Sequence, residues 1–126
     1  MIISFVKATG IARIGYDDYF YPNYCYDLPD DEARIFIQNR RAFISSHPDL
    51  VLDALIRLSY PSTKKYRSVY EIRRSIRISY DIDLSDDEIL SYLSDLKEFF
   101  PIKEAHGLYS IDDKTDPQIR IDKVSL

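Results

Sequence analysis

One basic stretch in the middle of the chain carries the residue types best suited to binding chemistry. Six basic residues fall within fourteen positions, from Lys64 to Arg77, and two tyrosines are interleaved with them. Guanidinium and ammonium groups neutralise phosphates, and tyrosine rings stack on exposed bases. The pattern predicts binding to nucleic acid without strong sequence preference, with double-stranded DNA as the expected partner. The expected contact residues are Lys64, Lys65, Arg67, Tyr70, Arg73, Arg74 and Arg77.

A second interpretation of the same arginines is structural. Residues 48–80 carry seven basic and three acidic side chains, whereas residues 81–126 carry five basic and twelve acidic ones. A basic segment followed by an acidic one can form ion pairs with it, within one chain or across a dimer. Arg73 and Arg77 are four residues apart and share a helix face, which suits phosphate contacts and ion pairs equally. Both interpretations stay open.

Enzyme and metal chemistry have little support in the sequence. The soft metal ligands are Cys25, His47 and His106, which do not make a zinc set. There is no Gly-rich phosphate loop or nucleophile elbow, and the adjacent carboxylates at 30–31 and 86–87 suit the first turns of helices. We therefore predict that the protein is not an enzyme and has no cofactor, metal or small-molecule substrate. Cys25 is expected to be a buried small side chain.

Three helices are predicted around the basic stretch. The first begins at Ser46-His47-Pro48-Asp49 and ends near Pro61. The second begins at Ser68, which is placed to form a capping box with Glu71. Its apolar stripe consists of Val69, Ile72 and Ile76. The periodicity therefore buries one side of the second helix and leaves its arginines on the other.

The third helix has the clearest start, because Ser85 and Glu88 form a second capping-box pattern. Its expected apolar face consists of Ile89, Leu90, Leu93, Leu96, Phe99 and Phe100. Pro101 ends it. Residues 102–111 then predict a tight β-hairpin, with Gly107 supplying a positive φ.

Three helices followed by a hairpin, over residues 48–111, resemble the winged-helix family of helix-turn-helix proteins. The resemblance rests on the order and spacing of elements, and a plain three-helix bundle with an incidental turn is the alternative. It implies DNA binding and transcription regulation, with the third helix in the major groove. That helix here has an acidic outer face, with Lys97 as its one positive charge. The outer residues are Ser91, Tyr92, Asp95 and Glu98.

Carboxylates that face phosphates weaken binding, so the expected DNA contacts move to the basic loop and the second helix. The acidic third helix favours a different function, in which the winged helix mediates protein association. In that alternative the protein is a structural, virion-associated component or a homodimer that buries the third helix. Such a dimer would also leave two basic patches on one side.

Residues 1–47 predict a β-rich lobe with one short helix. A strand over Ile2 to Lys7 is followed by turns at Gly10 and Gly15, and a hairpin is expected within the tyrosine-rich stretch Tyr16 to Tyr26. These tyrosines either cover the edge of a β core or form an interface. The helix begins after Pro29 with three acidic residues.

The segment from Tyr26 to Ala33 resembles small β-module proteins from bacteriophage head and tail genes. Arg41 replaces the glycine that often precedes the last strand in those proteins. The whole sequence therefore predicts an α+β protein: a ββαβ-like lobe over 1–47, a winged-helix domain over 48–111 and a C-terminal extension over 112–126.

The chain is rich in Ile, Tyr and charged residues but has two Asn, two Gln, one Met and one Cys, as suits high temperature. In this composition it resembles small proteins from viruses of thermophilic archaea. No apolar run approaches the roughly 18 residues of a membrane span, and the first residues do not form a signal peptide. We therefore expect no membrane contact and a cytoplasmic location, in the host cell if the protein is viral.

Overall fold

The computed structural model describes residues 1–13, 16–59 and 66–112. The described chain contains both helices and strands, which confirms the predicted α+β class. It divides into two compact units, unit 1 over residues 1–45 and unit 2 over residues 46–112. The predicted extension over residues 112–126 lies outside the described residues except for Asp112, and the basic loop residues Lys64 and Lys65 also lie outside them.

Unit 1 is a small sheet with one helix and a separate hairpin. Its elements are β1 (Ile2–Phe5), β2 (Thr9–Arg13), β3 (Tyr16–Phe20), β4 (Cys25–Asp27), α1 (Asp30–Gln38) and β5 (Ala42–Ile44). Strand β1 lies between β4 and β5 and is antiparallel to both. Strands β2 and β3 form the antiparallel hairpin.

The core of unit 1 is aromatic. Phe5 and Phe20 stack with ring centroids 4.8 Å apart, and Phe36 of α1 meets both rings edge to face. Such edge and offset contacts add to the free energy of burial because the ring faces are negative and the ring edges positive. Helix α1 is thereby fixed on the sheet, with Ala33 also buried.

Two predictions for unit 1 are wrong. Gly10 lies inside strand β2 rather than in a turn, directly opposite Tyr19. A Cβ at this position would lie 2.9 Å from Cε1 of Tyr19, so the missing side chain makes room for the ring. The tyrosine-rich stretch does not form its own hairpin either, because β3 pairs with β2 and β4 pairs with β1. The chain reverses between β3 and β4, where Asn23 has a φ of 71°.

The described tyrosines of this stretch differ in exposure. Tyr24 is buried, and the Tyr26 hydroxyl accepts a hydrogen bond from the Tyr21 backbone N–H at 2.9 Å. Tyr19 is 53% exposed, and the side chain of Tyr16 lies outside the described part. Tyr24 and the partly buried Tyr26 therefore belong to the β core, and the described tyrosines do not form one exposed patch. The Cys25 side chain is buried, as predicted.

Unit 2 contains three helices and a three-stranded sheet. Its elements are α2 (His47–Ser59), β6 (Arg67–Ser68), α3 (Val69–Tyr80), α4 (Asp86–Leu96), β7 (Ile102–Ala105) and β8 (Leu108–Ile111). The helices pack on one another in pairs. In the sheet, β8 lies between β6 and β7 and is antiparallel to both.

The helix starts of unit 2 confirm the predicted capping boxes. The Ser68 hydroxyl accepts the Glu71 backbone N–H, and the Glu71 carboxylate accepts the Ser68 backbone N–H. Ser85 and Glu88 make the same reciprocal pair at the start of α4. Each box satisfies backbone donors that have no partner inside the helix.

Helix α4 ends earlier than predicted. Its last residue is Leu96, after which the Glu98 N–H bonds to the Asp95 carbonyl in a tighter, three-residue turn. Ile89, Leu93 and Leu96 are buried as expected, but Leu90 is 42% and Phe99 is 79% exposed. These last two do not belong to the core face, because helical spacing places Leu90 beside the buried stripe and the tighter turn carries Phe99 away from it.

The predicted hairpin turn is confirmed. Two residues, His106 and Gly107, connect β7 to β8, and both have positive φ, 54° and 76°. This pair of conformations is that of a type I′ turn, whose twist matches the flanking strands. The Gly107 N–H donates to the Glu104 carboxylate at 2.9 Å.

Candidate nucleic-acid interface

Helix α3 presents two opposite surfaces. Ile72 and Ile76 are fully buried against the rest of unit 2. Tyr70, Arg74, Arg77 and Ile78 are exposed on the other side, and we call these four residues the α3 face. Tyr70, Arg74 and Ile78 follow one another at four-residue spacing, so they form a stripe along the helix. The sequence placed the arginines on this side, but not the apolar Ile78, which is 72% exposed.

A buried carboxylate holds α3 against α2. Asp53 of α2 is only 1% exposed and accepts a hydrogen bond from the Tyr80 hydroxyl at 2.8 Å. Its other oxygen accepts a 2.7 Å bond from Nε of Arg57. A buried charge needs such partners, because burial removes its hydration. The last turn of α3 is thereby fixed.

Arg67, one of the predicted contact residues, is engaged inside the fold. Its guanidinium donates to Glu71 at 2.8 Å and to the Leu58 carbonyl, near the end of α2, at 2.9 Å. The side chain is 16% exposed. Arg67 thus links β6 to the capping box of α3 and to α2, and contributes little charge to the surface.

Arg73 is also engaged. Its Nε and Nη2 donate to the two carboxylate oxygens of Asp83 at 2.9 and 3.2 Å, and Nη1 donates to Asp86 at 3.2 Å. The hydrogen bonds from Arg73 lower the pKa of the Asp83 carboxyl below its usual value, and the positive charge of Arg77 adds to the shift. The same bonds, chiefly those to Asp83, raise the pKa of Arg73. The pair joins α3 to the turn before α4 and to the first turn of α4.

Arg74 and Arg77 differ from these two arginines. Both are exposed, and neither forms an ion pair with any carboxylate among residues 1–13, 16–59 and 66–112. Tyr70 is 68% exposed beside them. Of the seven predicted contact residues, the structure brings Tyr70, Arg74 and Arg77 together on one open surface.

A cleft of about 490 Å³ runs along one side of the α3 stripe. It is lined by Tyr70, Arg73, Arg74, Arg77, Ile78, Asp81 and Asp86. A second, shallower cleft of about 330 Å³ lies on the other side of the stripe, between it and Leu58, Glu71, Ser75 and Ser79. Volumes of this size suit small ligands or a few groups of a larger one. The stripe residues Tyr70, Arg74 and Ile78 line both clefts.

Sequence reasoning missed the acidic members of this site. Asp81 ends α3 in the left-handed conformation with a φ of 55°, and Asp86 belongs to the first turn of α4. Arg73 and Asp83 are ten residues apart, a separation that corresponds to no local helical spacing. Their meeting depends on the turn between the two helices. The sequence indicated these contacts only through the general expectation that the acidic segment forms ion pairs with the arginines. That expectation holds for Arg73.

The outer face of α4 is acidic, as predicted. Ser91, Asp95 and Glu98 are exposed, whereas Tyr92 is partly buried with its ring 6.4 Å from that of His47. This surface therefore repels a phosphate backbone.

Across the described residues, no three or more His, Cys, Asp and Glu side chains gather as a metal site would require. None of the described helices is both long enough and apolar enough to cross a membrane. Comparisons of the chain with family models, with curated proteins and with solved structures each found no match.

Proposed function

We propose that unit 2 is a winged-helix module that binds nucleic acid through the α3 face and the loop before it. Its element order supports the proposal: three helices with a short strand after the first, then a hairpin whose second strand pairs with that short strand. Binding through α3 departs from the usual docking of such modules, in which the helix corresponding to α4 enters the major groove.

One observation carries the choice of surface. Arg74 and Arg77 are exposed beside Tyr70 without an ion pair among the described residues, while the charged residues of α4 are all acidic. Arginines already paired with carboxylates must give up those bonds to bind a phosphate, but uncommitted arginines need not. The predicted contact residues Lys64 and Lys65 lie outside the described residues and do not enter this argument.

In the experiment, fluorescein-labelled DNA is titrated with the full chain, and fluorescence anisotropy measures the binding at salt concentrations from about 50 to 200 mM. We expect affinity to fall with salt. The double variant Arg74→Gln/Arg77→Gln should bind more weakly. With duplex, the negative slope of log affinity against log salt should become shallower by about 1.8, since each neutralised phosphate contributes about −0.9.

The matched control is Arg34→Gln/Arg41→Gln, which removes the same charge from exposed residues of unit 1. It should leave both affinity and slope unchanged. Absence of binding at the lowest salt, or an equal loss in the two double variants, contradicts the proposal.

A second candidate function is association of two copies through α4. The observation that favours it is the exposure of Leu90 in α4 and of Phe99 just after it, at 42% and 79%. The cores of protein interfaces are more apolar than the rest of the surface, so these exposed side chains favour an interface on this part of the chain. Sedimentation equilibrium tests this: a dimer that Leu90→Glu dissociates supports association through α4. A monomer over the whole concentration range, or a dimer that Leu90→Glu leaves intact, contradicts it.

A further inference from the structure

The α3 face combines two kinds of side chain that a single strand can contact together. Arg74 and Arg77 suit phosphates, whereas Tyr70 and Ile78 offer apolar surface, 68% and 72% exposed. The bases of a duplex are already stacked on one another, so an aromatic ring outside the helix gains little from them. An unpaired base has a free face, and stacking on tyrosine covers both surfaces.

The carboxylates of the cleft also favour a single strand over a duplex. Asp81 and Asp86 line it together with Tyr70 and the arginines. Duplex DNA presents two rows of phosphates and would bring negative charge onto these groups. A single strand can instead turn a base toward Asp81, which forms no ion pair with a described residue, because the amino groups on an unpaired base edge donate hydrogen bonds to carboxylates.

The length of the stripe also fits a short piece of strand. Tyr70 and Ile78 are eight residues apart on one helix, which corresponds to about 12 Å along its axis. At about 3.4 Å for each stacked nucleotide, this length accommodates about three nucleotides. The two arginines lie between these ends in sequence, where they can reach the phosphates of that segment.

We propose that the ligand of the α3 face is single-stranded nucleic acid, with phosphates on Arg74 and Arg77 and an unpaired base stacked on Tyr70. The inference rests on the proposed function, since it names the class of ligand for the same surface. It replaces the double-stranded DNA that the sequence pattern led us to expect.

The test compares one labelled strand of about 12 nucleotides and mixed sequence, a length within the usual site sizes, with its own duplex. Both are titrated with the full chain at about 50 mM salt, where phosphate contacts are strong. We expect the strand to bind at least about tenfold more tightly than the duplex, the effect of one stacked base.

Two variants at one position separate stacking from general contact. Tyr70→Phe keeps the ring and should keep the strand preference, whereas Tyr70→Leu removes the aromatic surface and should abolish it. Tyr70 is largely exposed, so both variants should unfold at the wild-type temperature, which circular dichroism checks.

The outcomes distinguish this inference from the proposed function. If the duplex binds as tightly as the strand, and Arg74→Gln/Arg77→Gln weakens both, the single-strand inference is overturned while nucleic-acid binding through α3 stands. The inference is also overturned if Tyr70→Leu binds the strand as well as wild type. If neither strand nor duplex binds at low salt, the proposed function and this inference fall together.

Discussion

The Arg73 guanidinium binds both carboxylate oxygens of Asp83, at 2.9 and 3.2 Å, across the turn that joins α3 to α4. This fork-to-fork geometry is the one in which arginine and carboxylate match best. It joins α3 to the turn before α4, and it engages the Arg73 guanidinium with carboxylates, unlike the guanidinium groups of Arg74 and Arg77.

This pair predicts a pH-dependent stability. Because the pKa of Asp83 is lowered in the folded state, the folded chain binds fewer protons there than the unfolded chain. The stabilisation is complete above the unfolded value of 3.8 and is lost as the pH falls through the lower, folded value. Arg73→Gln should therefore be less stable than wild type at neutral pH, and the two should converge in acid. Urea unfolding at a series of pH values measures this difference.

The control for that series is Arg74→Gln, one residue along the same helix, which forms no ion pair with a described carboxylate. Its stability relative to wild type should not change with pH. A difference between wild type and Arg73→Gln that is the same at neutral and acid pH would show that the Asp83 contact does not stabilise the fold.

The buried Asp53 predicts a large loss of stability on truncation. Asp53→Ala removes the buried carboxylate that the Tyr80 hydroxyl and Arg57 contact. We expect it to lower the free energy of unfolding by about 3 kcal/mol. This value is near the bottom of the range for buried pairs because Arg57 is 43% exposed. Tyr80→Phe should cost about 1.5 kcal/mol, as for a hydrogen bond to a charged acceptor. Chemical denaturation measures both.

The double variant Asp53→Ala/Tyr80→Phe completes a cycle, and its loss should be smaller than the sum of the two single losses. Tyr70→Phe is the control on the same helix, with an exposed hydroxyl, and should change stability by less than about 0.5 kcal/mol. Strictly additive losses would mean that the Tyr80 hydroxyl does not bond to Asp53 in solution.

The end of α1 predicts a stabilising substitution. Arg40 has a φ of 58°, and its N–H bonds to the Ile37 carbonyl while the Arg41 N–H bonds to that of Phe36. These two bonds form a Schellman motif, in which the left-handed residue is usually glycine. Arg40→Gly relieves the strain of a Cβ in this conformation, and we expect a gain of about 0.5 to 1 kcal/mol after the entropy of glycine is subtracted.

Arg34→Gly provides the contrast, because Arg34 is exposed in the interior of α1. In thermal unfolding, Arg40→Gly should unfold at a higher temperature than wild type. Arg34→Gly should unfold at a lower temperature, corresponding to a stability about 1 kcal/mol below that of wild type. A loss of stability in Arg40→Gly would mean that the arginine side chain makes a contact worth more than the strain.

Asp81 predicts a change in ligand preference. Asp81→Asn removes one negative charge from the cleft and retains a residue type that tolerates the left-handed conformation. We expect its affinity for duplex DNA to rise by about two- to fivefold, which is the effect expected of one charge interaction at the surface. The ratio of its affinity for the strand to its affinity for the duplex should therefore decrease. Fluorescence anisotropy with strand and duplex measures both affinities.

The matched control is Asp95→Asn, which makes the same charge change on the outer side of α4 and away from the cleft residues. It should alter duplex affinity less than Asp81→Asn does. An equal rise in the two variants would show that net charge, rather than the cleft, governs binding.

The sequence by itself determined the helices of unit 2, their starts and the hairpin turn. Capping boxes at Ser68 and Ser85 and the dipeptide His106-Gly107 act over three or four residues, so the pattern of residue types was sufficient to locate them. The buried stripe of α3 followed from periodicity in the same way. The winged-helix resemblance remains a proposal built on that order.

Only the tertiary structure decided which arginines are available. Arg67 and Arg73 are the same residue type as Arg74 and Arg77, but they meet Glu71, Leu58, Asp83 and Asp86. The contacts of Arg73 span ten and thirteen residues across a turn, so no local spacing signals them. The same holds for the buried Asp53 and for Gly10 beneath Tyr19: the first needs Tyr80 from another helix, and the second depends on strand register. Local patterns fix elements because their interactions are short in sequence, whereas a site depends on which distant groups the packing brings together.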